Sequence, residues 1–301
     1  MPMGVRINSA DFTEVVSKLR TFFFKKNFLE VHTQNRFSIL AACEDPETIT
    51  TYTFKGVKWP LPQTGQMWLE YELLQNPEYE GVFCLSTSYR QEPNPISGRH
   101  DVVFPMFEFE SRGDMNDLMD LLADLCVHLG FVKNHKEVMK IDYLDLAKDF
   151  GVQELSHKEE DEMNKRYKSP AIFIKNFPEF TSPYWNMKRH PQTDISKKVD
   201  VIIGGMETMG CAEREIDIEI MRNRFHSISE GEYANLLYNH FGKERVTQEL
   251  EDFLALPMIE RYGGGIGVTR LIKNYKALKA CKATEYKNLN QNSYIPAQTT
   301  Q

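Results

Sequence analysis

Apolar side chains recur at helical spacing near the start of the chain and again in its middle. Residues 9–27 predict an amphipathic helix, with Ser9 or Asp11 as its N-cap. The segment 114–129 predicts a second helix, and Gly130 follows it as a helix-ending residue. Shorter helices are predicted for three further ranges: 66–74, about 230–241 and 245–256. The pattern therefore predicts helices at several places along the chain.

Strand patterns lie between these helices. Residues 82–92 and 102–110 predict two long strands of one hairpin, joined by an extended turn. Shorter strands are predicted for four ranges: 28–31, 51–54, 171–175 and 199–203. Hairpin strands mixed with helices, without regular β-α-β alternation, predict an α+β fold built on an antiparallel sheet.

Two segments depart from this alternation. The charged residues 136–168 are helical in tendency and predict an insertion that lies over the core. The glycines within 263–267 open a last helix predicted for 268–278; they either let the backbone approach a ligand closely or form a turn before a surface helix. Neither a phosphate loop nor a Rossmann fingerprint matches them. We therefore expect one domain over 1–283 and a polar C-terminal tail over 284–301.

The composition is that of a globular protein, with 41% hydrophobic and 26% charged residues. No apolar run approaches the roughly 20 residues that a membrane helix needs, so we expect no membrane partner. The five cysteines are widely spaced and odd in number, which fits free thiols in a reducing cytoplasm. The net charge of −7 lowers the expectation of a nucleic-acid partner without excluding tRNA, because such partners usually meet a basic surface.

The long hairpin carries residues that suit a nucleotide. Arg90 and Glu92 are two residues apart on a predicted strand and so point to the same face. Arg99 and His100 come after a turn rich in proline and glycine, and Phe104 lies on the returning strand. Arginine holds phosphate, a carboxylate holds an amine and an aromatic ring stacks under a base, so the hairpin predicts a nucleotide-binding element.

Two later stretches supply groups that this hairpin lacks. Asp200 and Glu207 flank a Gly-Gly turn, and paired carboxylates suit Mg²⁺ that bridges phosphates. Taken alone, the same two carboxylates also fit solvated strand ends. Arg214 follows seven residues later, placed to meet an acidic or amide side chain. Arg270 comes after the glycine run, where it reaches a base or phosphate or belongs to an ordinary surface helix.

Taken together and in this order, the three stretches resemble the signature motifs of class II aminoacyl-tRNA synthetases, and most closely the aspartyl/asparaginyl branch. The similarity runs from the first predicted helix to Leu271. It implies a catalytic domain with a six-stranded antiparallel sheet flanked by helices, usually assembled as a homodimer. It also implies ATP and Mg²⁺ as cofactors and a cytoplasmic location.

For the nucleotide, the resemblance implies that Arg90 and Arg270 are the catalytic residues. Arg90 would hold the α-phosphate and the reacting carboxylate, while Arg270 would cover one face of adenine and reach the γ-phosphate. Phe104 would stack on the other face of adenine, and Asp200 with Glu207 would carry Mg²⁺. The whole ATP-binding set that the resemblance implies is Arg90, Glu92, Arg99, His100, Phe104, Glu207 and Arg270.

For the amino acid, the resemblance implies a second set of residues: Glu44, Thr64, Gln66, Leu69, Glu108 and Arg214. Gln66 would lie near the α-ammonium group, Glu44 would belong to a mobile lid, and Arg214 would bind the side chain. Leu69 and Glu108 follow the asparaginyl pattern, because aspartyl enzymes usually have lysine and aspartate at these positions. The pattern indicates the asparaginyl lineage without naming asparagine as the substrate.

Several positions depart from the family. Gln34 replaces the proline of the first motif, which puts the usual dimer interface in question. Val103 and Thr269 replace acidic residues next to Phe104 and Arg270. Asp45 and Pro46 replace a Gly-Gly hinge and should stiffen the lid. We also expect the N-terminal anticodon-binding barrel of the family to be missing, since nothing precedes the first motif.

Three functions fit these features. The preferred one is an ATP-dependent ligase that activates aspartate or asparagine as an acyl-adenylate, with ammonia as the acceptor, as in asparagine synthetase-like chains of this lineage. The second is aminoacylation of tRNA, and the third is an inactive paralogue that binds a nucleotide. The acidic balance and the expected lack of a tRNA-binding barrel favour ammonia, whereas Leu69 disfavours free aspartate unless Arg214 supplies the positive charge.

Overall fold

One large sheet organises the computed structural model, which describes residues 6–33, 38–40, 48–91, 95–96, 101–181 and 184–292. Its strand order is β1-β4-β5-β10-β9-β8-β7-β6, and β2 pairs with β3 as a separate hairpin. The strands are β1 (Phe28–Glu30), β2 (Thr51–Phe54), β3 (Val57–Pro60), β4 (Gly81–Tyr89), β5 (Val103–Arg112), β6 (Met139–Asp142), β7 (Ala171–Pro178), β8 (Ile195–Ile203), β9 (Met206–Glu213) and β10 (Arg261–Gly267).

Helices cover both faces of this sheet. In the described part of the chain they are α1 (Ser9–Lys25), α2 (Gln66–Gln75), α3 (Met115–Leu129), α4 (Tyr143–Phe150), α5 (His157–Tyr167), α6 (Ile218–Ser227), α7 (Glu232–Phe241), α8 (Lys243–Leu254) and α9 (Val268–Asn292). Each of these helices is too short or too polar to cross a membrane.

The six central strands of the sheet, from β4 to β7 in the spatial order, run antiparallel to one another. The two outer strands are parallel to the strands they join, β1 to β4 and β6 to β7. The predicted α+β fold with an antiparallel sheet is therefore confirmed, and two parallel edge strands extend it.

The back face of the sheet, which carries Phe107 and Ile266, packs against α1, α3 and α9. Phe23 of α1 is fully buried there, with its ring 5.2 Å from Phe107 and from Phe109. Burying a side chain of this size stabilises the fold by about 2–3 kcal/mol. Asn8 caps α1 by accepting hydrogen bonds from two backbone amides, so the prediction of Ser9 or Asp11 as the cap was wrong.

The front face, which carries Glu108 and Gly265, is only partly covered. Helix α2 packs over its β4–β5 side, and α6, α7 and α8 extend this layer around the buried Trp185. The prediction for 230–241 merges the end of a 3₁₀ turn with α7, and α6 was not predicted.

The charged segment 136–168 is more than a helical cover. Its residues 139–142 form β6 and extend the main sheet, while α4 and α5 bury their own apolar cluster against β7. Helix α5 also reaches the β8–β9 hairpin, because Glu160 accepts a hydrogen bond from the backbone amide of Glu207 at 3.1 Å. The segment thus contains a strand of the main sheet as well as helices.

The glycine run is a central strand, β10, rather than the turn that was one of its two interpretations. A side chain has no room along most of this strand: a Cβ on Gly263 would overlap the carboxyl group of Glu110. A Cβ on Gly264 would overlap Cys211 and lie 2.6 Å from the carbonyl oxygen of Gly210. Neighbouring groups fill the space above and below the strand, so glycine is required there by close approach.

We expect Gly264→Ala to destabilise the protein by about 3 kcal/mol, because the new methyl group meets backbone as well as the Cys211 side chain. Urea unfolding followed by circular dichroism measures this loss. Gly267→Ala is the matched control on the same strand, since its nearest atom would be 3.6 Å away. Equal loss in both variants would contradict the steric explanation.

Candidate functional site

The strand register brings the predicted site residues to one face of the sheet. Cys84, Glu108, Gly265, Gly210 and Asp200 are consecutive partners across five strands. Residues directly opposite each other in antiparallel strands project to the same face. This transverse row crosses the front face, and the remaining described site residues lie next to it.

The nucleotide-type residues lie at one end of this face. The guanidinium carbon of Arg90 is 5.7 Å from the centre of the Phe104 ring. Phe104 is two residues from Met106, which pairs with Gly267 just before α9. Arg270, in the first turn of α9, therefore approaches the same end. Glu92, Arg99 and His100 lie outside the described residues.

The two carboxylates of the predicted metal pair converge beside Gly210. A Cβ built on Gly210 would lie 3.1 Å from Glu207 Oε1 and 3.4 Å from Asp200 Oδ1. The register of β8 and β9 shifts after Val201, so that Thr208 is the extra residue of a β-bulge. The bulge turns Glu207 to the face of Gly210, which explains how a seven-residue spacing brings both acids together.

This pair has the properties of a divalent-cation site. Asp200 Oδ1 is buried and accepts no hydrogen bond from the described residues. Burial raises the pKa of Asp200 to about 7, with Lys198 opposing the rise and Glu207 adding to it. A buried, unsatisfied carboxylate oxygen next to a second carboxylate fits Mg²⁺, which prefers oxygen ligands.

Arg270 links this pair to the nucleotide end. Its Nη1 donates a hydrogen bond of 2.8 Å to the backbone oxygen of Glu207 and lies 3.7 Å from Glu207 Oε2. The arginine after the glycine strand and the acid after the Gly-Gly turn are therefore in contact, although 63 residues separate them.

A cavity of about 130 Å³ opens next to the acidic pair. It is smaller than the roughly 300 Å³ at which drug-sized ligand sites begin, so it suits one small metabolite. Its lining residues come from α2, β8, β9 and the segment before β8: Thr64, Gln66, Met67, Glu70, Tyr184, Met187, Lys198, Glu207, Gly210, Cys211, Ala212 and Arg214.

Glu108 holds one wall of this cavity in place. Its buried carboxylate accepts hydrogen bonds from the hydroxyl groups of Thr64 and Ser86 and, at 2.8 Å, from the amide of Gly65. These bonds fix the turn that starts α2, where Gln66 points toward Gly265. Glu108 thus supports the predicted amino-acid segment from below.

Arg214 forms the opposite wall and is almost fully buried. Its guanidinium pairs with Glu110, donates a 2.7 Å hydrogen bond to Gln66 Oε1 and lies 3.7 Å from Glu70. Arg261 pairs with Glu70 at 2.7 Å, so two buried arginines face two buried glutamates. The charges in this cluster are balanced.

The sequence analysis missed Glu70, Glu110 and Arg261. Burial raises the pKa of Glu110 to about 7, with Arg214 acting against the rise and Glu70 adding to it. The signal was present in residues 108–110, because acids at alternate positions of an apolar strand point to one face, where they need cationic partners.

One predicted amino-acid residue, Leu69, is placed differently. Leu69 is fully buried and packs with Leu73, Val82 and Cys84 on the α2–β4 side, so its side chain faces this cluster rather than the cavity. Glu44 lies outside the described residues, as do Gln34, Asp45 and Pro46.

The chain belongs to a known enzyme family. Residues 7–282 match the family model described as tRNA synthetases class II (D, K and N), and the chain belongs to this family. The letters denote aspartate, lysine and asparagine, so the family as a whole is broader than the aspartyl/asparaginyl branch that the sequence motifs resemble.

Individual relatives divide between these branches. The chain is 29% identical over 140 residues to the lysine–tRNA ligase of Photobacterium profundum, covering 46% of this chain and 27% of the relative. It is 23% identical over 308 residues to that of Ectopseudomonas mendocina, covering 86% and 59%. The chain thus spans well under two thirds of each of these curated relatives.

Two solved structures that share the fold are asparaginyl-tRNA synthetases. Asparaginyl-tRNA synthetase from Pyrococcus horikoshii, complexed with asparaginyl-adenylate, superposes with a TM-score of 0.69 at 19% identity, covering 88% of this chain and 64% of that one. The Entamoeba histolytica enzyme in complex with asparaginyl-adenylate gives 0.70 at 19% identity, covering 88% and 63%. At this identity the likeness concerns the fold.

The buried Glu110 should make stability depend on pH. Its pKa is about 7 in the folded protein against an ordinary 4.5, so its contribution is complete below pH 4.5 and is lost as the pH rises through 7. We expect wild-type stability to fall relative to Glu110→Gln between about pH 5 and about pH 8, as measured by urea unfolding.

The exposed Glu78 provides the control for this measurement. A Glu78→Gln variant should follow the wild-type stability curve at every pH. If the curves of wild type and Glu110→Gln stay parallel over the whole range, Glu110 does not titrate in the folded state as described.

Proposed function

We propose that the protein is an ATP-dependent ligase that activates a small amino acid, aspartate or asparagine, as an acyl-adenylate. One observation carries this proposal: the Arg90–Phe104 pair, the Asp200–Glu207 pair and the Gln66–Arg214 cavity share one face of one sheet. A nucleotide, its metal ion and an amino acid bound at these three places would be adjacent.

The nucleotide would occupy the end of the front face that carries Arg90 and Phe104. Phe104 offers a ring for stacking on the base, and the neighbouring Arg90 offers a guanidinium group for the α-phosphate. Arg270 supports the same arrangement, because its contact with Glu207 puts a second cation beside the metal pair. In family terms Arg90 and Arg270 are the proposed catalytic residues.

Asp200 and Glu207 would hold Mg²⁺. The described residues contain no cluster of three or more acidic, histidine or cysteine ligands that could hold a metal by itself, so phosphate oxygens would complete the coordination. The bound ion would neutralise negative charge on the phosphate groups.

The proposed reaction joins two anions. A carboxylate oxygen of the amino acid forms a bond to the α-phosphorus of ATP, the bond from that phosphorus to the bridging oxygen breaks, and pyrophosphate leaves with the electron pair. No general base is required, because the carboxylate is already ionised near pH 7. Catalysis therefore depends on positioning and on neutralising charge, which Arg90 would do at the reacting phosphorus.

The charges around the cavity support asparagine over lysine. The cavity is lined by two cations, Arg214 and Lys198, and by two acids, Glu70 and Glu207, so a lysine side chain would add a charge to a lining that is already balanced. The carboxylates nearest to Arg214 already balance it and Arg261. A neutral amide adds no charge to this balanced cluster, which favours asparagine, whereas aspartate would need additional positive charge.

The acceptor of the activated amino acid has two candidates. Membership in a family of tRNA synthetases favours tRNA, which we therefore take as the first candidate. The net charge of −7 favours ammonia, because it opposes binding of a polyanion, and amide formation from aspartate is the second candidate. An inactive paralogue is disfavoured by the contact of Arg270 with Glu207 and by the paired carboxylates beside Gly210.

We expect Arg90→Ala to reduce ATP–pyrophosphate exchange about 100-fold or more, as for removal of one group that stabilises transition-state charge. The matched control is Arg112→Ala, since Arg112 is exposed at the other end of the sheet. The control should exchange at the wild-type rate, and both variants should unfold like the wild type. Unchanged exchange in Arg90→Ala would remove this residue from the mechanism.

Exchange measured with each of the twenty amino acids identifies the substrate, and we expect a signal with asparagine or aspartate but not with lysine. Repeating the reaction with bulk tRNA and with ammonia then separates the acceptors. Charged tRNA would support the first candidate, and asparagine formed from aspartate would support the second. Absence of exchange with every amino acid would refute adenylate formation.

A further inference from the structure

A lysine bonds one of the two carboxylates of the proposed metal pair. The Nζ atom of Lys198 donates a 2.7 Å hydrogen bond to Asp200 Oδ2 and lies 4.0 Å from the centre of the Phe177 ring. Lys198 and Asp200 are two residues apart on β8, so both side chains point to the front face. The ammonium group therefore satisfies one oxygen of Asp200, while the other, Oδ1, accepts no hydrogen bond from the described residues.

We propose that Lys198 is a built-in competitor of the divalent ion: its ammonium group neutralises Asp200 when no metal is bound and must leave that carboxylate when the ion arrives. The inference rests on the proposed role of Asp200 in holding Mg²⁺. It adds a residue that tunes how strongly the site binds metal.

The electrostatic surroundings support this exchange. Three carboxylates gather at the hairpin, because Glu160 of α5 approaches Asp200 and Glu207 from the side. Two cations pair with these carboxylates: Lys198 with Asp200 and Arg270 with Glu207. A divalent ion that entered beside both cations would be repelled by each of them. Arg270 is attached mainly to a backbone oxygen, whereas Lys198 bonds the carboxylate itself, so Lys198 is the group that competes directly.

The same lysine connects the metal pair to the cavity for the amino acid. Lys198 pairs across the sheet with Ala212, and both residues line that cavity together with Arg214. An ammonium group released from Asp200 stays in the cavity wall, because its side chain is held between Phe177 and the cavity. Metal binding would thereby add to the pocket a positive charge that Asp200 no longer balances.

The test is binding of Mn²⁺ alone, measured by the loss of the electron paramagnetic resonance signal of the free ion. We expect Lys198→Met to bind Mn²⁺ about tenfold more tightly than the wild type, because one unit of repulsion is removed. Lys198→Arg keeps the charge and should bind as weakly as the wild type. Adding Asp200→Asn to Lys198→Met should abolish the gain, which locates the ion at this pair.

Lys197→Met is the matched control, because Lys197 points to the other face and bonds Glu213 at 2.8 Å. It should leave Mn²⁺ binding unchanged. Equal binding by wild type and Lys198→Met, weaker binding by the variant, or no binding by either would overturn the inference. Lys198→Gln replaces the methionine variant if circular dichroism shows that methionine disturbs the fold.

ATP–pyrophosphate exchange by the wild type is measured separately. Loss of the proposed function would appear there as absent exchange, whereas failure of the inference would appear only in the Mn²⁺ titrations. The two failures are therefore distinguishable.

Discussion

The close packing on the front face depends on β10, because the glycines of this strand have no side chains. The carboxyl group of Glu110 fills the space over Gly263, and Cys211 fills the space under Gly264. Only a bare backbone strand lets the acids of β5 and the residues of β9 approach each other across the centre of the sheet. The position of Gln66 above Gly265 and the pairing of Arg214 with Glu110 both depend on the absence of side chains on the glycines of β10.

Buried charge is the second consequence of this arrangement. Glu70, Glu110, Arg214 and Arg261 are each at most 2% exposed, and removing any one of them would leave an unpaired ion in a dry environment. Such a network is costly to assemble and offers little net stability over an apolar core. Its presence directly below the cavity is therefore better explained by what the cavity binds than by what the fold needs.

Local sequence patterns predicted much of the fold. The helices α1, α3 and α8 and the β4–β5 hairpin follow from apolar spacing, and the joint order of the motifs indicated the family. Strand β10 could not be recognised, because glycine has low strand propensity and its role depends on neighbours distant in the chain. The buried partners Glu70 and Arg261 escaped notice for the same reason: 191 residues separate them. The site residues that were predicted were those within compact motifs, whereas the charges that hold them came from elsewhere.

Glu160 accepts a hydrogen bond from the backbone amide of Glu207. Glu160 belongs to α5, whose polar composition is that of an ordinary surface helix. This hydrogen bond joins α5 to the first turn-side residues of β9. A shortened version of the protein would therefore have to keep α5. Removing the helix would free the backbone of the residue that we propose as a metal ligand.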